Sequence, residues 1–167
     1  GESGYFKIAY SQVTSPVYFG EWTIAYKQPA QTSIPTAPSS LTATATSNSQ
    51  INLQWTDRSS NEEGFDIERC TNSGCSNFSH LATVGANTTS HSDTGLTANT
   101  TYKYRVRAYN ANGDSSYSNT ATATTLPIQR TLTVSKSGNG AGTVSGTGIS
   151  CGADCTETYN DGTSVTL

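Results

Sequence analysis

Apolar and polar residues alternate along the segment LTANTTYKYRVRA, which spans residues 96–108. The apolar positions of this segment are Tyr102, Tyr104, Val106 and Ala108, and the long, mostly charged positions between and after them are Lys103, Arg105, Arg107 and Tyr109. This period of two predicts an antiparallel strand with one buried face. The segment INLQW repeats the pattern and places Ile51, Leu53 and Trp55 on one face. Two strands that are each apolar on one side predict a two-layer β-sandwich.

Turn residues divide residues 41–126 into short segments that extend this all-β pattern. Strands are predicted at 41–45, 51–55, 65–70, 81–85, 89–92, 102–109 and 118–125. The segment TNSGCSNFSH, between the third and fourth strands, is expected to be an insertion. Seven short strands separated by turn signals predict an immunoglobulin-like sandwich, and no segment has the periodicity of an amphipathic helix.

Residues 1–28 are the most aromatic part of the chain, and they contain two predicted strands, YFKIAY and EWTIAY. Because two strands alone are marginally stable in water, this segment is expected to be the tail of a preceding domain or to dock on a neighbouring subunit. Its aromatic residues then form a core, a subunit interface or a stacking surface for sugar rings, with Tyr18, Trp22 and Tyr26 as the candidates for that surface. Residues 29–40, PAQTSIPTAPSS, predict a semi-rigid Pro-rich linker.

Residues 127–167 predict a further, partial β unit. The segment TLTVSKSGNGAGTVSG is expected to form two strands around a Gly/Asn turn, and NDGTSVTL to form a turn followed by a strand. The sequence stops within that last predicted strand, which leaves an open sheet edge. We therefore expect either a chain cut from a longer one or a second copy that supplies the missing strands.

The composition fits small β cores rather than disorder. Hydrophobic residues make up 33% and charged residues 13%, but the net charge is only −3 and aromatic residues reach 9%. The acidic balance, with a pI near 5.2, argues against a nucleic-acid partner. No apolar run approaches the ~18 residues of a membrane-spanning helix. No secretory leader is recognisable at the start, so an exported protein is expected to have lost it.

The four cysteines form two close pairs, Cys70 with Cys75 and Cys151 with Cys155. Zinc is the competing interpretation, but these spacings are not those usual for zinc ligands, and no histidine lies near the second pair. We predict two local disulfides and hence an oxidising compartment, outside the cell or at its surface. His80 and His91 are expected to be ordinary surface residues.

The candidate catalytic groups all have a simpler structural interpretation. Carboxylates cluster around the link between the second and third strands, as in a glycosidase, at Asp57, Glu62, Glu63, Asp66 and Glu68. Strand alternation and loop position account for them. Residues 90–93 contain the residue types of a catalytic triad, but neighbours in a strand point to opposite faces. We therefore predict no enzyme activity and no cofactor.

Other motifs are weaker still. The alternate glycines at 138, 140 and 142 lack the helix that a phosphate loop requires. Asp154, Asn160 and Asp161 do not have the spacing of an EF-hand, so no metal site is predicted. The sequons at Asn77, Asn87 and Asn99 are attributed to chance in a chain rich in Ser and Thr.

The basic side chains of the sixth predicted strand lie beside acidic side chains if the third and sixth strands pair. Lys103, Arg105 and Arg107 would then lie opposite Asp66 and Glu68. Cross-strand ion pairs are the expected result, each contributing ~0.2–1 kcal/mol. The alternative is that these three basic side chains form a stripe that binds a partner.

Taken in order, the segments PTAPSSLTAT, INLQWTD, GFDIERC, LATVG, DTGLTANTTYKYRVRAYNANGDSSYSN and TATATT resemble a fibronectin type III domain. The residues that carry the resemblance are Pro38, Trp55, Leu96, Thr100, Tyr102, Tyr104, Val106, Ala108 and Asn110. Ala98 departs from the pattern, since many members have proline there. The resemblance implies that Trp55 is the core tryptophan and that the Tyr102 hydroxyl bonds to backbone upstream in a tyrosine corner.

Two finer resemblances concern the source. The cysteine-bearing insertion after Glu68 and Arg69 is similar to a bacterial variant of the family, and residues 127–167 resemble the start of a divergent internalin B-type surface repeat. Together they imply a non-catalytic spacer, adhesion or building module of a secreted or cell-surface bacterial protein. The alternatives are a subunit of an extracellular filament assembled by strand addition, and a carbohydrate-binding segment of a glycan-degrading enzyme. Partners are thus expected to be protein or polysaccharide.

Overall fold

The computed structural model describes residues 33–135, 137, 142–146, 148–151 and 154–167, with backbone alone at 150, 151, 154 and 155. The chain divides into two units, Gly1–Ala30 and Gln31–Leu167, and all described residues belong to the second. The strands predicted within residues 1–28 lie outside the described residues.

All regular elements of the described residues are β-strands. They are β1 (Ser39–Ala45), β2 (Gln50–Thr56), β3 (Gly64–Thr71), β4 (Ser79–Gly85), β5 (Ser90–Thr94), β6 (Thr101–Asn110), β7 (Gly113–Asp114), β8 (Ala121–Thr124), β9 (Gln129–Ser135), β10 (Val144–Gly146), β11 (Ile149–Cys151) and β12 (Asp154–Asn160). No helix long and apolar enough to cross a membrane occurs among them.

The first eight strands form two antiparallel sheets that pack face to face. One sheet has three strands in the order β1-β2-β5, and the other has five, in the order β4-β3-β6-β7 with β8 also paired to β6. This arrangement confirms the predicted all-β, immunoglobulin-like sandwich. β6 lies inside the larger sheet, and alternate residues of this strand are buried in the core, as its period of two predicts.

The core consists of the inward positions of both sheets. Its fully buried large side chains are Tyr104, Phe65, Ile51, Leu53, Ile67, Val106 and Thr125. Trp55 packs edge-on against Phe65, with ring centroids 5.7 Å apart. Leu96 and Tyr102 are also buried in this cluster. Burying each large apolar side chain contributes about 1.5–3 kcal/mol, so these positions supply much of the driving force for folding.

The loop before β6 is held by the tyrosine corner that the family resemblance implies. The backbone N–H of Thr97 donates a 3.0 Å hydrogen bond to the Tyr102 hydroxyl oxygen. Beside it, the buried Thr125 hydroxyl donates to the Thr97 carbonyl oxygen at 2.6 Å and accepts from the Thr100 N–H at 3.0 Å. Because these groups are satisfied internally, the crossover keeps one conformation.

Side chains also connect the two sheets at their margins. The Asn119 amide pairs with the backbone of Leu41, accepting from its N–H and donating to its carbonyl, each at 2.9 Å. On another margin, Arg69 of the larger sheet makes a two-point ion pair with Asp93 of the smaller one, at 2.9–3.0 Å. The Asn119 amide, which bonds to the Leu41 backbone as a neighbouring strand would, and the Arg69–Asp93 ion pair therefore link the two sheets.

The structure departs from the predicted linker in its last residues. Residues 39 and 40 belong to β1, and Pro35 and Pro38 are buried. The Ser33 carbonyl accepts hydrogen bonds from the side chains of Asn61 and Asn110, each at 3.0 Å. These contacts hold the entering chain against the sandwich from residue 33 onward.

The C-terminal strands exist, but they pair differently from the prediction. β9 pairs with β12 and β10 with β11, so the predicted hairpin between β9 and β10 is wrong. Gly-rich segments specify register weakly, whereas the β9–β12 ladder joins seven residue pairs from Asp154↔Ser135 to Asn160↔Gln129. The turn at Asp161 and Gly162 is present, but residues 163–167 form no strand. They pass so close to Gly146 that a Cβ there would collide with the Thr166 carbonyl oxygen.

Candidate functional site

The outer face of the five-stranded sheet carries the most distinctive cluster of side chains in the described residues. We call it the arginine–aromatic face, and it comprises Asp66, Glu68, Phe78, Lys103, Arg105, Arg107, Asp114 and Tyr117. β3 and β6 position its centre, because their register places Asp66 opposite Arg107, and Glu68 opposite Arg105. The predicted cross-strand charge pairing is therefore present.

Arg105 is the centre of this face. Its guanidinium carbon lies 3.8 Å from the centroid of the Tyr117 ring and 4.4 Å from that of Phe78. Its Nε and one terminal nitrogen lie 2.7 Å and 2.6 Å from Glu68 Oε2. The Tyr117 hydroxyl donates to the other Glu68 oxygen at 2.7 Å. Stacking and hydrogen bonding together fix the guanidinium plane.

Arg107 extends the cluster toward β7. It lies 2.6 Å from an Asp114 oxygen and 3.4 Å from Asp66, with the Tyr117 ring 5.4 Å away. Asp66 also accepts a 2.7 Å hydrogen bond from the Thr83 hydroxyl of β4. The charged groups of β3, β6 and β7, together with the Thr83 hydroxyl of β4, thus form one connected surface network.

The disulfide loop completes the other end of the face. Cys70 and Cys75 form the predicted disulfide, and the Lys103 ammonium donates a 3.1 Å hydrogen bond to the Cys75 carbonyl oxygen. Phe78, which follows in the same loop, lies 5.9 Å from the Lys103 ammonium as well as against Arg105. The insertion predicted from the sequence is therefore part of the site.

The network shifts the pKa values of its half-buried members Glu68 and Tyr117. Burial alone would raise the pKa of Glu68, but hydrogen bonds from Tyr117 and Arg105 and the charges of Arg105 and Arg107 together lower it below its ordinary value. Burial and the bond to Glu68 raise the pKa of the Tyr117 hydroxyl. Glu68 is therefore anionic and Tyr117 neutral at physiological pH.

The charges on this face balance one another, yet the surface stays accessible. The cations Lys103, Arg105 and Arg107 are accompanied by the carboxylates Asp66, Glu68 and Asp114. The side chains of Arg105 and Arg107 remain 30% and 28% exposed. A polyanion would have to displace these internal carboxylates, so the arrangement suits a partner that contacts planar and polar groups rather than a chain of phosphates.

The outer face of the three-stranded sheet has the opposite character. Its outward positions on β1, β2 and β5 are all neutral and polar: Thr42, Thr44, Gln50, Asn52, Gln54, Thr56, Ser90, Ser92 and Thr94. In the register of the sheet, Thr44, Asn52 and Ser92 form one row, and Thr42, Gln54 and Ser90 the next. The two faces of one sandwich therefore differ sharply in charge and aromatic content.

The loop carboxylates have structural roles. Asp57 accepts the Ser59 N–H at 2.9 Å, and Glu63 the Ala111 N–H at 3.2 Å. Glu62 is buried and accepts the Asn87 N–H at 3.1 Å. Burial would raise the pKa of Glu62, but this bond, its own N–H and neighbouring side chains lower it. The structure does not bring these groups together with Asp66 and Glu68 as a catalytic pair.

The remaining polar candidates are dispersed. His80 is exposed and lies 3.0 Å from the Thr83 hydroxyl, while Asp93 of the segment 90–93 is buried and accepts hydrogen bonds from Arg69 and Tyr104. Asp161 pairs with Arg130 on the surface at 3.0 Å. Among the described residues, no group of three or more His, Cys, Asp or Glu is placed to hold a metal ion.

Some predicted site residues lie outside what the structure describes. They are Tyr18, Trp22 and Tyr26, together with the side chains of Cys151 and Cys155. Of the sequon residues, Asn87 and Asn99 sit at turns with positive φ of 59° and 49°. Asn77 lines a polar groove beside the disulfide.

Sequence reasoning missed the aromatic half of the site. Phe78 stands alone in a polar insertion, and Tyr117 follows the turn after β6, so neither belongs to a strand pattern. The available signal was composition, since each is an aromatic residue within a Ser- and Asn-rich loop. Asp114 was missed for a similar reason, because the short strand β7 lies between the predicted strands 102–109 and 118–125, where no strand is predicted.

Residues 36–124 match the family model described as "Fibronectin type III domain". A crystal structure of domains from titin is 24% identical, covers 56% of this chain and 32% of that chain, and has a TM-score of 0.50. The chicken CNTN1 FN1–FN3 structure is also 24% identical, with 56% and 33% covered and a TM-score of 0.50. An Fn3-like protein from Clostridium thermocellum is 28% identical over 54% of this chain and 92% of that chain, with a TM-score of 0.47.

The chain spans about a third of the titin and CNTN1 chains that it matches. No curated protein matches it.

Proposed function

The chain belongs to the fibronectin type III family over residues 36–124, and from this premise we propose that it is a non-catalytic interaction module of a secreted or cell-surface bacterial protein. The arginine–aromatic face is its protein-contact surface. The observation that carries this proposal is Arg105, which is held between two aromatic rings and Glu68 while its side chain stays 30% exposed.

Such a surface has the chemistry of a protein-binding hot spot. Arg and Tyr are enriched at the energetically important centres of interfaces. Because Arg105 and Tyr117 are already fixed by contacts within the chain, binding through them loses less side-chain entropy than binding through mobile groups. The neutral face of the other sheet offers no comparable anchor.

The non-catalytic role is supported by where the polar groups are used. Fibronectin type III domains are typically structural or interaction modules. In the part of the chain that is described, Asp66, Glu68 and Asp93 are each engaged by arginine. The candidate carboxylates therefore serve ion pairs and loop hydrogen bonds rather than a substrate.

The proposed location and source rest on separate observations. The Cys70–Cys75 disulfide supports an oxidising compartment, since such bonds are rare in the reducing cytosol. The resemblance of the cysteine-bearing insertion to a bacterial variant, and of residues 127–167 to an internalin B-type repeat, supports a bacterial surface or secreted protein.

Capture of a specific partner tests the proposal. The full chain is immobilised through a tag and exposed to extracellular proteins of the source organism, and the affinity of any retained protein is measured with purified components. The double variant Arg105→Ala, Tyr117→Ala should weaken binding tenfold or more, on the order of 2 kcal/mol for hot-spot residues. The control Gln54→Ala, Ser92→Ala on the neutral face should leave it unchanged. Equal binding by both variants would refute the assignment of the face.

A filament assembled by strand addition is the second candidate. It is supported by the C-terminal strands, which in the described residues form sheets of only two strands, β9–β12 and β10–β11. Small sheets of this kind gain stability from an added strand. Electron microscopy of the purified chain should then show fibres, and uniformly dispersed particles would remove this candidate. The carbohydrate-binding alternative, which depends on Tyr18, Trp22 and Tyr26, stays a prediction.

A further inference from the structure

We propose that the arginine–aromatic face binds a second copy of this chain, face to face, about a two-fold axis parallel to β3 and β6. This inference rests on the proposed function and names the partner of the same surface. It follows from the order in which the charges lie on the two central strands.

The charges on the two central strands of the face form two parallel rows of opposite sign. β6 carries the basic row, Lys103, Arg105 and Arg107, and the neighbouring β3 carries the acidic row, Asp66 and Glu68. The antiparallel register sets Glu68 level with Arg105, and Asp66 level with Arg107. The ion pairs between the rows show that these side chains extend on the same side of the sheet.

A two-fold axis that runs along the strands, above the line between β3 and β6, exchanges the rows without changing their level. The acidic row of one copy then lies over the basic row of the other. Glu68 faces the second copy's Arg105, and Asp66 faces the second copy's Arg107. One patch is thereby self-complementary, as a closed two-fold dimer requires.

Charge complementarity favours this occupant over others. An acidic or a basic partner would attract one row and repel the other, whereas an identical face attracts both. The whole chain carries a net charge of only −3, so two copies repel each other weakly at physiological salt. Phe78 and Tyr117, which stack on Arg105, add flat apolar area to the contact.

The neutral face serves as an internal comparison. Its rows of Ser, Thr, Asn and Gln carry no charge that could select one orientation of a partner. Exposed neutral hydrogen bonds exchange with water at little net gain. Substitutions there should therefore leave self-association unchanged.

Sedimentation velocity over a concentration series to about 1 mM tests the proposal with the full chain. The wild type should form dimers that dissociate at about 1 M salt, where charges are screened beyond roughly 3 Å. Arg105→Glu should weaken the dimer at least tenfold, and the control Gln54→Glu should not. Circular dichroism of each variant establishes that it is folded.

A charge exchange provides the decisive variant. The double substitution Glu68→Arg, Arg105→Glu keeps opposite charges at that level, so it should regain self-association lost in Arg105→Glu. Mixed with wild type, however, it would place like charges opposite each other, and mixed dimers should be at least tenfold rarer than either homodimer. Equal mixing, or a dimer insensitive to both Arg105→Glu and salt, would overturn the two-fold arrangement.

Failure of this inference is distinguishable from failure of the proposed function. A wild-type chain that stays monomeric across the series, yet binds another protein through Arg105 and Tyr117, overturns the second copy as partner and leaves the interaction surface in place. Assemblies larger than a dimer that are unaffected by Arg105→Glu overturn it in favour of strand addition.

Discussion

The hydroxyl of Tyr104 donates a 2.9 Å hydrogen bond to Asp93 Oδ2, joining β6 of one sheet to β5 of the other in the interior of the sandwich. The same carboxylate receives two hydrogen bonds from Arg69, which also lies over the Tyr102 ring at 5.4 Å. Burial, together with the bond to Asp93, raises the pKa of Tyr104 well above its ordinary value. The buried carboxylate is therefore satisfied by a neutral phenol and a cation.

Removing the hydroxyl by Tyr104→Phe should lower the free energy of unfolding by about 1.5–3 kcal/mol, because a hydrogen bond to a buried charged group is lost. Urea denaturation followed by fluorescence measures this change. Asp93→Asn should cost at least as much, since it leaves Arg69 without its anion. If Tyr104→Phe were as stable as wild type, the bond across the sheets would contribute nothing net.

Tyr102→Phe should cost about 1–2 kcal/mol for a different reason. The variant keeps the buried ring but leaves the Thr97 N–H without its 3.0 Å acceptor. Hydrogen exchange at the Thr97 amide should accelerate together with the loss of global stability. Tyr109→Phe, outside the corner, is the matched control, and an equal loss in both variants would contradict a specific role for the corner.

The pH dependence of stability should reveal the Glu68 network. The pKa of Glu68 is lowered in the folded state from an ordinary value of 4.5. A lowered folded pKa contributes stability that is complete above the unfolded value and is lost as pH falls through the folded one. Glu68→Gln should therefore be less stable than wild type by about 1 kcal/mol near neutral pH, and the difference should shrink below pH 4.5. Denaturation curves from pH 3 to pH 7 measure it, and a difference independent of pH would contradict the prediction.

Breaking the disulfide should act on both stability and the binding face. The Cys70→Ser, Cys75→Ser variant frees a short loop, which costs about 2 kcal/mol by loop-closure entropy. Because Phe78 is carried by that loop, its stacking on Arg105 should loosen as well. Thermal melting and self-association of the oxidised and variant chains measure the two effects. Unchanged self-association would separate the loop from the interface.

The central strands were predictable because their inward-facing residues alternate with outward-facing ones along the sequence. In β6, the period of two identifies every inward residue from Tyr102 to Ala108, and the third-to-sixth strand pairing brings Glu68 beside Arg105 as expected. Such patterns depend only on positions along one strand and on the order of strands within the family.

Contacts made by loops, and contacts between the sheets, could not be predicted in this way. The partners Asp93 and Arg69 are 24 residues apart on different sheets. Asp93 looks, from its neighbours, like part of a polar edge strand. Phe78 and Tyr117 meet at Arg105 only because the disulfide loop positions Phe78 and the turn after β6 positions Tyr117. In the C-terminal region, the glycine-rich spacing is compatible with several strand pairings, and the predicted hairpin between β9 and β10 is wrong.

Because Phe78 is carried by the disulfide loop, the arginine–aromatic face depends on whether Cys70 and Cys75 are oxidised or reduced. In a thiol-rich compartment Cys70 and Cys75 would stay reduced, and the disulfide would no longer hold the loop that carries Phe78 against Arg105. Under the proposed self-association, oxidation would then act as a maturation step that completes the binding face. Newly made chains would be prevented from associating prematurely until they reach the environment in which the bond forms.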